Sequence, residues 1–242
     1  MGTVRGLGLD EISGVVASER HEVLWVHEDS GADPLVHAIA PGGRPVATIT
    51  LAGAEHVDWE DIALAGGNLW IGDIGDNASI RVSIQVYWLP EPDLRSGTAD
   101  PNLLSLTYED GPHDAEALVV DARHEALYVI TKELSLTRGF VYRAPIGGLR
   151  DEDLRELTRV GTVPLGIVTA ADLADDGVIV KSYGKARLFP WTGDQTVEGA
   201  IRGDACPVPL GGGESVAYRA ADDRYYAIPE GADPPVWVTA PG

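Results

Sequence analysis

The sequence has little cysteine, few cationic side chains and no long apolar run, and each shortage excludes a class of protein. The lone Cys206 excludes an internal disulfide and fits a reducing compartment. Only 18 Lys and Arg residues stand against 38 Asp and Glu residues, and the resulting formal net charge of −20 repels nucleic acids and anionic membranes. No stretch approaches the roughly 20 apolar residues of a membrane-spanning helix.

The beginning of the chain also lacks the pattern of a secretory signal, because residues 1–9 contain no apolar segment. We therefore expect a cytoplasmic protein with no nucleic acid or membrane partner. The 29 Gly and 16 Pro residues indicate many turns and disfavour a helical bundle. A length of 242 residues suits one all-β domain, which we expect to span residues 1–242.

A two-stranded motif recurs five times along the chain. In the clearest copy an apolar strand begins at Glu60, turns at Gly66-Gly67-Asn68, and returns as a second strand that ends in a polar cluster from Asp73 to Asn77. Short strands repeated at a period of roughly 40 to 50 residues are typical of propeller blades. The sequence therefore predicts an all-β, five-bladed β-propeller. The copies begin at Ser13, Glu60, Glu116, Thr169 and Glu214.

The last copy is followed by too few strands to complete a four-stranded blade. Its strands are predicted at 214–218, 225–228 and 236–239, after which the chain stops. An unpaired edge favours association between chains, so we expect the N-terminal segment 3–9 to add the outermost strand and close the ring. We also expect a strand at 200–208 in the fourth copy and one helical turn within 148–156.

The first residues of the five copies should meet at one mouth of the central channel, because the innermost strand of every blade starts there. Three carboxylates brought together would repel one another unless a cation lies among them. Carboxylate and hydroxyl oxygens suit Ca²⁺, whereas the scarcity of Cys and His argues against zinc. The alternative is a water-filled channel with one or more protonated carboxylates. The predicted metal ligands are Ser13, Glu60, Glu116, Thr169 and Glu214.

The order of these five residues resembles the calcium ring of the calcium-activated nucleotidases (apyrases), which are five-bladed propellers. The resemblance implies calcium bound by the same positions, with Thr169 in place of a serine. The stretches D-W-E-D-I-A, G-D-I-G-D-N and P-H-D-A-E-A-L are also similar to uncharacterised bacterial propeller proteins that are usually exported. The first resemblance covers only the ring and the blade count, and the second covers nearly the whole chain.

Charged and polar side chains at the strand ends should surround the same mouth and form a pocket for a polar ligand. His113 and Asp114 precede Glu116 and supply either an acid/base pair or an ordinary surface turn. His27 ends a strand close to Asp29 and is expected to face the pocket. The candidate catalytic residues are His27, Asp29, His113, Asp114, Lys132 and Tyr183. The candidate substrate-binding residues are Asp73, Asp76, Asn77, Lys181 and Glu230.

Three functions remain open from the sequence. The first is a calcium-dependent hydrolase of a small polar ester, lactone or phosphate, in which the metal polarises the substrate or activates water. The second is a biosynthetic tailoring enzyme, a cyclase or isomerase, that uses Tyr183, His27 and Lys132 as acid/base groups. The third is a non-catalytic, ligand-binding propeller with structural calcium. Nucleotide hydrolysis is disfavoured because few Lys or Arg residues can be placed at the mouth.

Overall fold

The computed structural model describes residues 2–31, 33–134, 137–191 and 194–240. Regular structure in these residues is almost entirely β-strand, with one short helix. In chain order the elements are β1 (Gly2–Thr3), β2 (Ile12–Ala17), β3 (Leu24–Glu28), β4 (Leu35–Ile39), β5 (Pro45–Leu51), β6 (Trp59–Ala65), β7 (Asn68–Asp73), β8 (Ile84–Pro90), β9 (Gly97–Ala99), β10 (Asn102–Tyr108), β11 (Ala115–Asp121), β12 (Ala126–Thr131), β13 (Gly139–Pro145), β14 (Asp153–Val163), β15 (Val168–Ala174), β16 (Gly177–Ser182), β17 (Lys185–Pro190), α1 (Val197–Ile201), β18 (Cys206–Val208), β19 (Ala217–Arg219), β20 (Arg224–Ala227) and β21 (Pro235–Thr239).

Antiparallel pairing sorts twenty of these strands into five groups of four, and β9 pairs parallel with β5 at the edge of the first group. The groups are β2-β3-β4-β5, β6-β7-β8-β10, β11-β12-β13-β14, β15-β16-β17-β18 and β19-β20-β21-β1. The first strands of the groups contact one another in the circular order β2, β6, β11, β15, β19 and back to β2. The chain is therefore an all-β propeller, and we interpret each group as one blade.

The hydrophobic core lies between neighbouring groups rather than at the centre. The layer between the second and third groups contains Trp70 from β7 and Tyr142 from β13. The layer between the first and second groups contains Trp25 and Trp59, both fully buried. The inner strands are covered by a neighbouring group on both faces. This explains why nearly all of their residues are buried in unbroken runs.

The predicted closure of the ring by the N-terminal segment is confirmed. Strand β1 pairs antiparallel with β21, with Gly2 opposite Val236 and Thr3 opposite Pro235. The strand is shorter than the predicted segment, but Val4 and Leu9 continue into the core between the last and first groups. The N-terminus thus occupies the edge that the last group would otherwise leave unpaired.

Two outer segments differ from the sequence-based expectations. The predicted helical turn within 148–156 is wrong, because residues 148–152 form turns without a helix and β14 begins at Asp153, where it pairs parallel with β10 of the preceding group. The predicted strand at 200–208 is partly wrong, because residues 197–201 form α1. Thr196 caps this helix by accepting from the Gly199 N–H, and Val197, Ala200 and Ile201 are buried at helical spacing. In the described residues, no helix has the length and apolarity needed to cross a membrane.

Candidate functional site

The mouth of the channel is the end at which each inner strand begins and its partner strand ends. Strand pairing places Ile12 opposite Glu28, Trp59 opposite Asp73, Ala115 opposite Thr131, and Val168 opposite Ser182. In each of these four pairs the register shifts immediately after that first pair. A bulge of this kind leaves one residue unpaired and redirects its side chain. The skipped residues are Ser13, Glu60, Glu116 and Thr169, four of the five predicted metal ligands.

The residues predicted to form the calcium ring contact one another and their neighbours, and the Ser13 hydroxyl lies 3.3 Å from Glu60 Oε2. The Ser13 hydroxyl donates to the main-chain oxygen of Glu60 (2.5 Å), and the Thr169 hydroxyl donates to that of Glu214 (2.8 Å). The Glu116 carboxylate forms an ion pair with the Lys132 ammonium group. Two hydroxyls are therefore engaged between groups, and one of the three carboxylates already has a cation.

Three carboxylates beside the ring do come together. Oxygen atoms of Asp29, Asp58 and Glu60 all lie within 4.8 Å of one another. Glu60 is buried, and Asp29 and Asp58 are half-buried. Only Glu60 belongs to the predicted ring, and Asp29 was predicted as a catalytic residue. Asp58 was missed, although it stands at the start of D-W-E-D-I-A, because its role depends on how the chain before β6 folds back.

The electrostatics of this acidic cluster favour neutralisation. Burial and then the neighbouring Asp58 raise the pKa of Asp29 to about 6. Burial, with Glu116 and Asp29 nearby, raises the pKa of Glu60 far above its usual range. Burial and Asp114 raise the pKa of Asp58. Each carboxyl is thus held in surroundings that penalise a negative charge, and a bound cation would relieve that penalty.

Gly75 leaves the space in which this cluster lies. A Cβ atom at that position would approach Asp58 Oδ2 and Glu60 Oε1 to 2.4 Å each, closer than any real contact. The Gly75 N–H donates to the Asp58 main-chain oxygen at 3.1 Å, which fixes the loop after β7 against the chain before β6. Glycine is therefore required here by the close approach of the two carboxylates.

Two of the predicted substrate-binding residues, Asp73 and Asp76, stabilise the loop after β7 by hydrogen bonds with Arg81. Arg81 donates to Asp73 Oδ1 at 2.9 Å and to the Gly75 main-chain oxygen at 2.7 Å. The Arg81 N–H donates to Asp76 Oδ2 at 2.7 Å. Asp73 and Asp76 are both buried, so the prediction that they contact substrate is wrong for these side chains as placed. Their carboxylates hold the loop that carries Gly75.

A depression of about 330 Å³ at the mouth contains four of the remaining candidates. Asn77, a predicted substrate-binding residue, is exposed and lines it. Tyr183 is exposed nearby, with its ring centre 5.8 Å from Lys132 Nζ. The depression is lined by Asn77, Ser79, His113, Asp114, Lys132, Glu133 and Leu134. Asp114 couples it electrostatically to the acidic cluster, because its charge helps to raise the pKa of Asp58, after the larger effect of burial.

His113 is oriented by residues that the sequence did not reveal. Its Nε2 atom lies 3.0 Å from Asp110 Oδ1 and 2.8 Å from the Tyr142 hydroxyl, which itself donates to Asp110 Oδ2 at 2.8 Å. A carboxylate can only accept, so these contacts place the ring proton on Nε2 and leave Nδ1 as the basic nitrogen. The hydrogen bonds from His113 and Tyr142 lower the pKa of Asp110 against the opposing effect of burial. The signal available in the sequence was the i, i+3 spacing of Asp110 and His113.

The three other candidates, His27, Lys181 and Glu230, do not line the depression. His27 is fully buried between Gly14 and Trp59, and burial lowers its pKa to about 4, so its predicted position in the pocket is wrong. Lys181 is also buried and donates to the main-chain oxygens of Ser182 and Gly213, and burial lowers its pKa to about 8. Glu230 is exposed, and a hydrogen bond with Glu214 raises its pKa to about 7.

Comparison with known proteins identifies the fold but no family. No protein-family model matches the sequence, and no curated protein matches it. A gluconolactonase from Xanthomonas campestris is similar in structure, with a TM-score of 0.55 and 14% identity over 96% of this chain and 87% of that one.

Two further solved structures show the same likeness. The PQQ-bound aldose sugar dehydrogenase of Streptomyces coelicolor has a TM-score of 0.56 and 11% identity, covering 98% of this chain and 96% of that one. Hydrazine synthase of Kuenenia stuttgartiensis has a TM-score of 0.52 and 10% identity, covering 96% and 84%. At these identities the likeness shows a shared architecture, and the chain is accordingly a propeller similar in fold to enzymes of different chemistries.

Proposed function

We propose that this protein is a metal-dependent hydrolase that binds a divalent cation at Asp29, Asp58 and Glu60 and cleaves an ester or lactone in the adjoining depression. The observation that carries the proposal is the approach of three carboxylates to within 4.8 Å beside a depression lined by acid/base side chains. A lactone substrate is further supported by the gluconolactonase that shares the fold. Water would add across the acyl C–O bond to give a carboxylate, an alcohol and a proton, with no change in oxidation state.

The donor set fits calcium. All three donors are carboxylates, the oxygen ligands that Ca²⁺ prefers, and neither Cys nor His is among them, which disfavours zinc. The missing side chain at Gly75 leaves room beside Asp58 and Glu60. A cation held there would supply Lewis acidity to a bound carbonyl oxygen. This site replaces the axial ring as the proposed calcium position and retains Glu60 from it.

The depression supplies the groups that would move protons and stabilise charge. His113, with its proton fixed on Nε2 by Asp110 and Tyr142, presents Nδ1 as a general base for water. The Lys132 ammonium group, already paired with Glu116, would stabilise negative charge that develops on the substrate. Asp114 is held by the Asp76 N–H at 2.9 Å and joins the base to the acidic cluster. The chain itself thus offers a base, a cation and an ordered carboxylate at one mouth.

A cyclase or isomerase is supported by one observation, the placement of Lys132 beside the exposed Tyr183 ring. Partial burial and a hydrogen bond to Glu214 raise the pKa of Tyr183 to about 12, which keeps the phenol protonated as a possible acid. Such an enzyme would rearrange its substrate without consuming water. The product of a single turnover in ¹⁸O-labelled water separates the two functions, because only the hydrolase incorporates the label.

The metal site can be tested without a substrate. Calorimetric titration with CaCl₂ should show one site, and Asp58→Asn should weaken the affinity by about tenfold or more, since it removes one of three charged ligands. Gly75→Ala should also weaken it, because the new methyl group would displace Asp58 and Glu60. Gly97→Ala is the matched control, because nothing lies within 4 Å of a Cβ atom there. Equal affinities in all three variants would place any bound calcium elsewhere.

The hydrolase is tested with a panel of lactones and aryl esters in the presence of calcium. Hydrolysis should be lost or cut by about 10²- to 10⁴-fold in His113→Ala, the contribution expected of a general base. Folding of the variant is checked by its circular dichroism spectrum. A panel that shows no hydrolysis by the wild-type protein, or an unchanged rate in His113→Ala, would contradict the proposed role.

A further inference from the structure

Large apolar side chains that face solvent are concentrated at the mouth. Those in the described residues are Val57, Ile80, Val82, Leu134, Leu154 and Tyr183. Val82 and Leu134 are almost completely exposed, at 87% and 89%. Single exposed apolar residues are common on protein surfaces, but their accumulation around one opening marks a binding surface.

Five of these six residues lie in loops that reach the mouth, and we call them the apolar rim. Val57 precedes β6, Ile80 and Val82 follow β7, Leu134 follows β12, and Tyr183 follows β16. These are the ends at which inner strands begin or their partners finish. The sixth, Leu154, lies in the outer strand β14 and serves below as a control.

The apolar rim meets the proposed catalytic groups at Leu134 and Tyr183. Leu134 lines the same depression as His113 and Lys132. Val57 is adjacent in sequence to Asp58, and Ile80 is adjacent to Ser79, which lines the depression. The Tyr183 ring lies 5.8 Å from the Lys132 ammonium group. A molecule bound at the polar groups would therefore extend over apolar side chains as it leaves the depression.

We infer that the substrate is amphipathic: an ester or lactone whose reacting carbonyl lies among the polar groups and whose acyl or aryl substituent covers the apolar rim. This inference rests on the proposed hydrolase and names its substrate class. A polyhydroxylated sugar lactone would leave the rim exposed to water and would gain nothing from it. An apolar substituent would bury Leu134, Ile80 and Val82, which stabilises the complex in proportion to the area removed from water.

Two features favour a small molecule over a larger partner. The depression of about 330 Å³ falls within the size range of small-molecule sites, and Leu134 of the rim lines it together with polar residues. A lipid bilayer is disfavoured because the net charge of −20 opposes approach to an anionic surface. The substituent of a bound substrate is therefore the occupant that fits both the charge and the dimensions.

The test uses a homologous series of acyl esters or lactones with one reactive group and chains of two to ten carbons. Each added methylene should raise kcat/KM by about two- to fourfold until the rim is covered. The double variant Ile80→Ser/Val82→Ser and the single variant Leu134→Ser should flatten this dependence, so that the ratio of long-chain to short-chain kcat/KM falls. Leu154→Ser should retain the full dependence, since that side chain is exposed elsewhere.

A binding arm keeps the inference separate from the hydrolase. The matching N-alkyl lactams, which resist hydrolysis, should bind with an affinity that rises with chain length in a calorimetric titration. Chain-dependent lactam binding without any turnover would support the apolar site and overturn the hydrolase. Turnover that is indifferent to chain length would support the hydrolase and overturn the amphipathic substrate. The amphipathic substrate would also be overturned if lactam binding did not depend on chain length while the rim residues were needed for sedimentation with phosphatidylcholine vesicles or for dimerisation.

Discussion

One position of the repeat has acquired different partners in different copies. Glu60 meets Asp29 and Asp58 and becomes part of an acidic cluster. Glu116, at the same bulge in the next copy, is paired with Lys132. Glu214 lies beside Tyr183 and Glu230, and its main-chain oxygen accepts from Thr169. The repeat therefore fixes where a side chain points, whereas the neighbouring loop decides which chemistry it serves.

At the residue scale, His37 should make stability depend on pH. His37 lies buried in β4 with Nδ1 2.9 Å from the Thr48 hydroxyl, and burial lowers its pKa to about 4 from 6.5. Above pH 6.5 the imidazole is neutral in both the folded and the unfolded chain, so its contribution is complete. Below pH 6.5 the unfolded chain binds the proton first, and stability is lost as the pH falls towards 4.

The size of this loss follows from the difference between the two pKa values, and His37→Gln should remove it. Urea unfolding at pH 7 and pH 4.5 should show a stability difference that is about 2 to 3 kcal/mol smaller in the variant than in the wild-type protein. Comparison of the two proteins is needed because buried carboxyls such as Asp172, with a pKa raised to about 7 by burial, act in the opposite direction. Thr48→Val keeps the imidazole buried and should keep the pH dependence of stability. If the wild-type protein and His37→Gln showed the same pH dependence, His37 would not be its source.

At the element scale, a single buried carboxylate ties three inner strands together. Asp61 on β6 accepts at Oδ2 from the N–H groups of Leu118 on β11 (2.9 Å) and Ala171 on β15 (3.1 Å). Its Oδ1 accepts from the Ile62 N–H at 3.0 Å. Asp172 repeats the arrangement between β15 and Tyr218 on β19. The inner strands are not hydrogen-bonded to one another as a sheet, so these carboxylates supply contacts that backbone ladders do not.

Asp61→Ala should therefore destabilise the ring strongly. Removal of the carboxylate leaves the Leu118 and Ala171 N–H groups buried without an acceptor, at about 1 to 3 kcal/mol each. The melting temperature of a chain this long should fall by roughly 4 to 24 °C, at about 2 to 4 °C per kcal/mol. Asp93→Ala, at a side chain that is 75% exposed, should change stability by no more than about 0.5 kcal/mol. An Asp61→Ala protein that melts with the wild type would show that water replaces the carboxylate.

The elements that the sequence predicted well are those governed by a local pattern or by the number of strands in a blade. The hairpin from Glu60 to Asp73 follows from apolar strands around a Gly-Gly-Asn turn, and the ring closure follows from a missing strand. Helix α1 was missed because five residues are too few to show a period, and only the Thr196 cap marks its start. The parallel pairing of β10 with β14 was missed because the two strands are far apart in the sequence and no hairpin turn connects them.

The same distinction applies to the candidate site. The repeat places one residue of each copy at the same position of its first strand, so these positions could be predicted from the sequence. In the structure the four bulges lie at Ser13, Glu60, Glu116 and Thr169. The acidic cluster could not be predicted from the sequence. Asp58 and Glu60 can lie together there because Gly75, in the loop after β7, has no side chain to collide with them. The Asp110–His113–Tyr142 contact joins a loop to β13, and nothing in the local sequence indicates that approach.

At the scale of the whole molecule, a net charge of −20 means that any salt should stabilise the fold to some extent. Self-repulsion among 38 carboxylates opposes the compact state, and added ions screen it. A stabilising effect of calcium alone would therefore not establish a binding site. The proposed site at Asp29, Asp58 and Glu60 predicts a further increment that depends on those residues.

The two effects separate when calcium and sodium are compared at equal ionic strength. A ligand that binds only the folded chain stabilises it by about 2.7 kcal/mol at one hundred times its Kd. For a chain of this length that corresponds to a rise of roughly 5 to 10 °C in Tm beyond the rise in NaCl. Asp58→Asn should keep the response to NaCl and lose most of the calcium increment, because screening acts on the total charge and binding acts through the cluster. Coincident melting curves in the two salts for the wild-type protein would leave only screening, and the acidic cluster would then be balanced by its raised pKa values rather than by a metal.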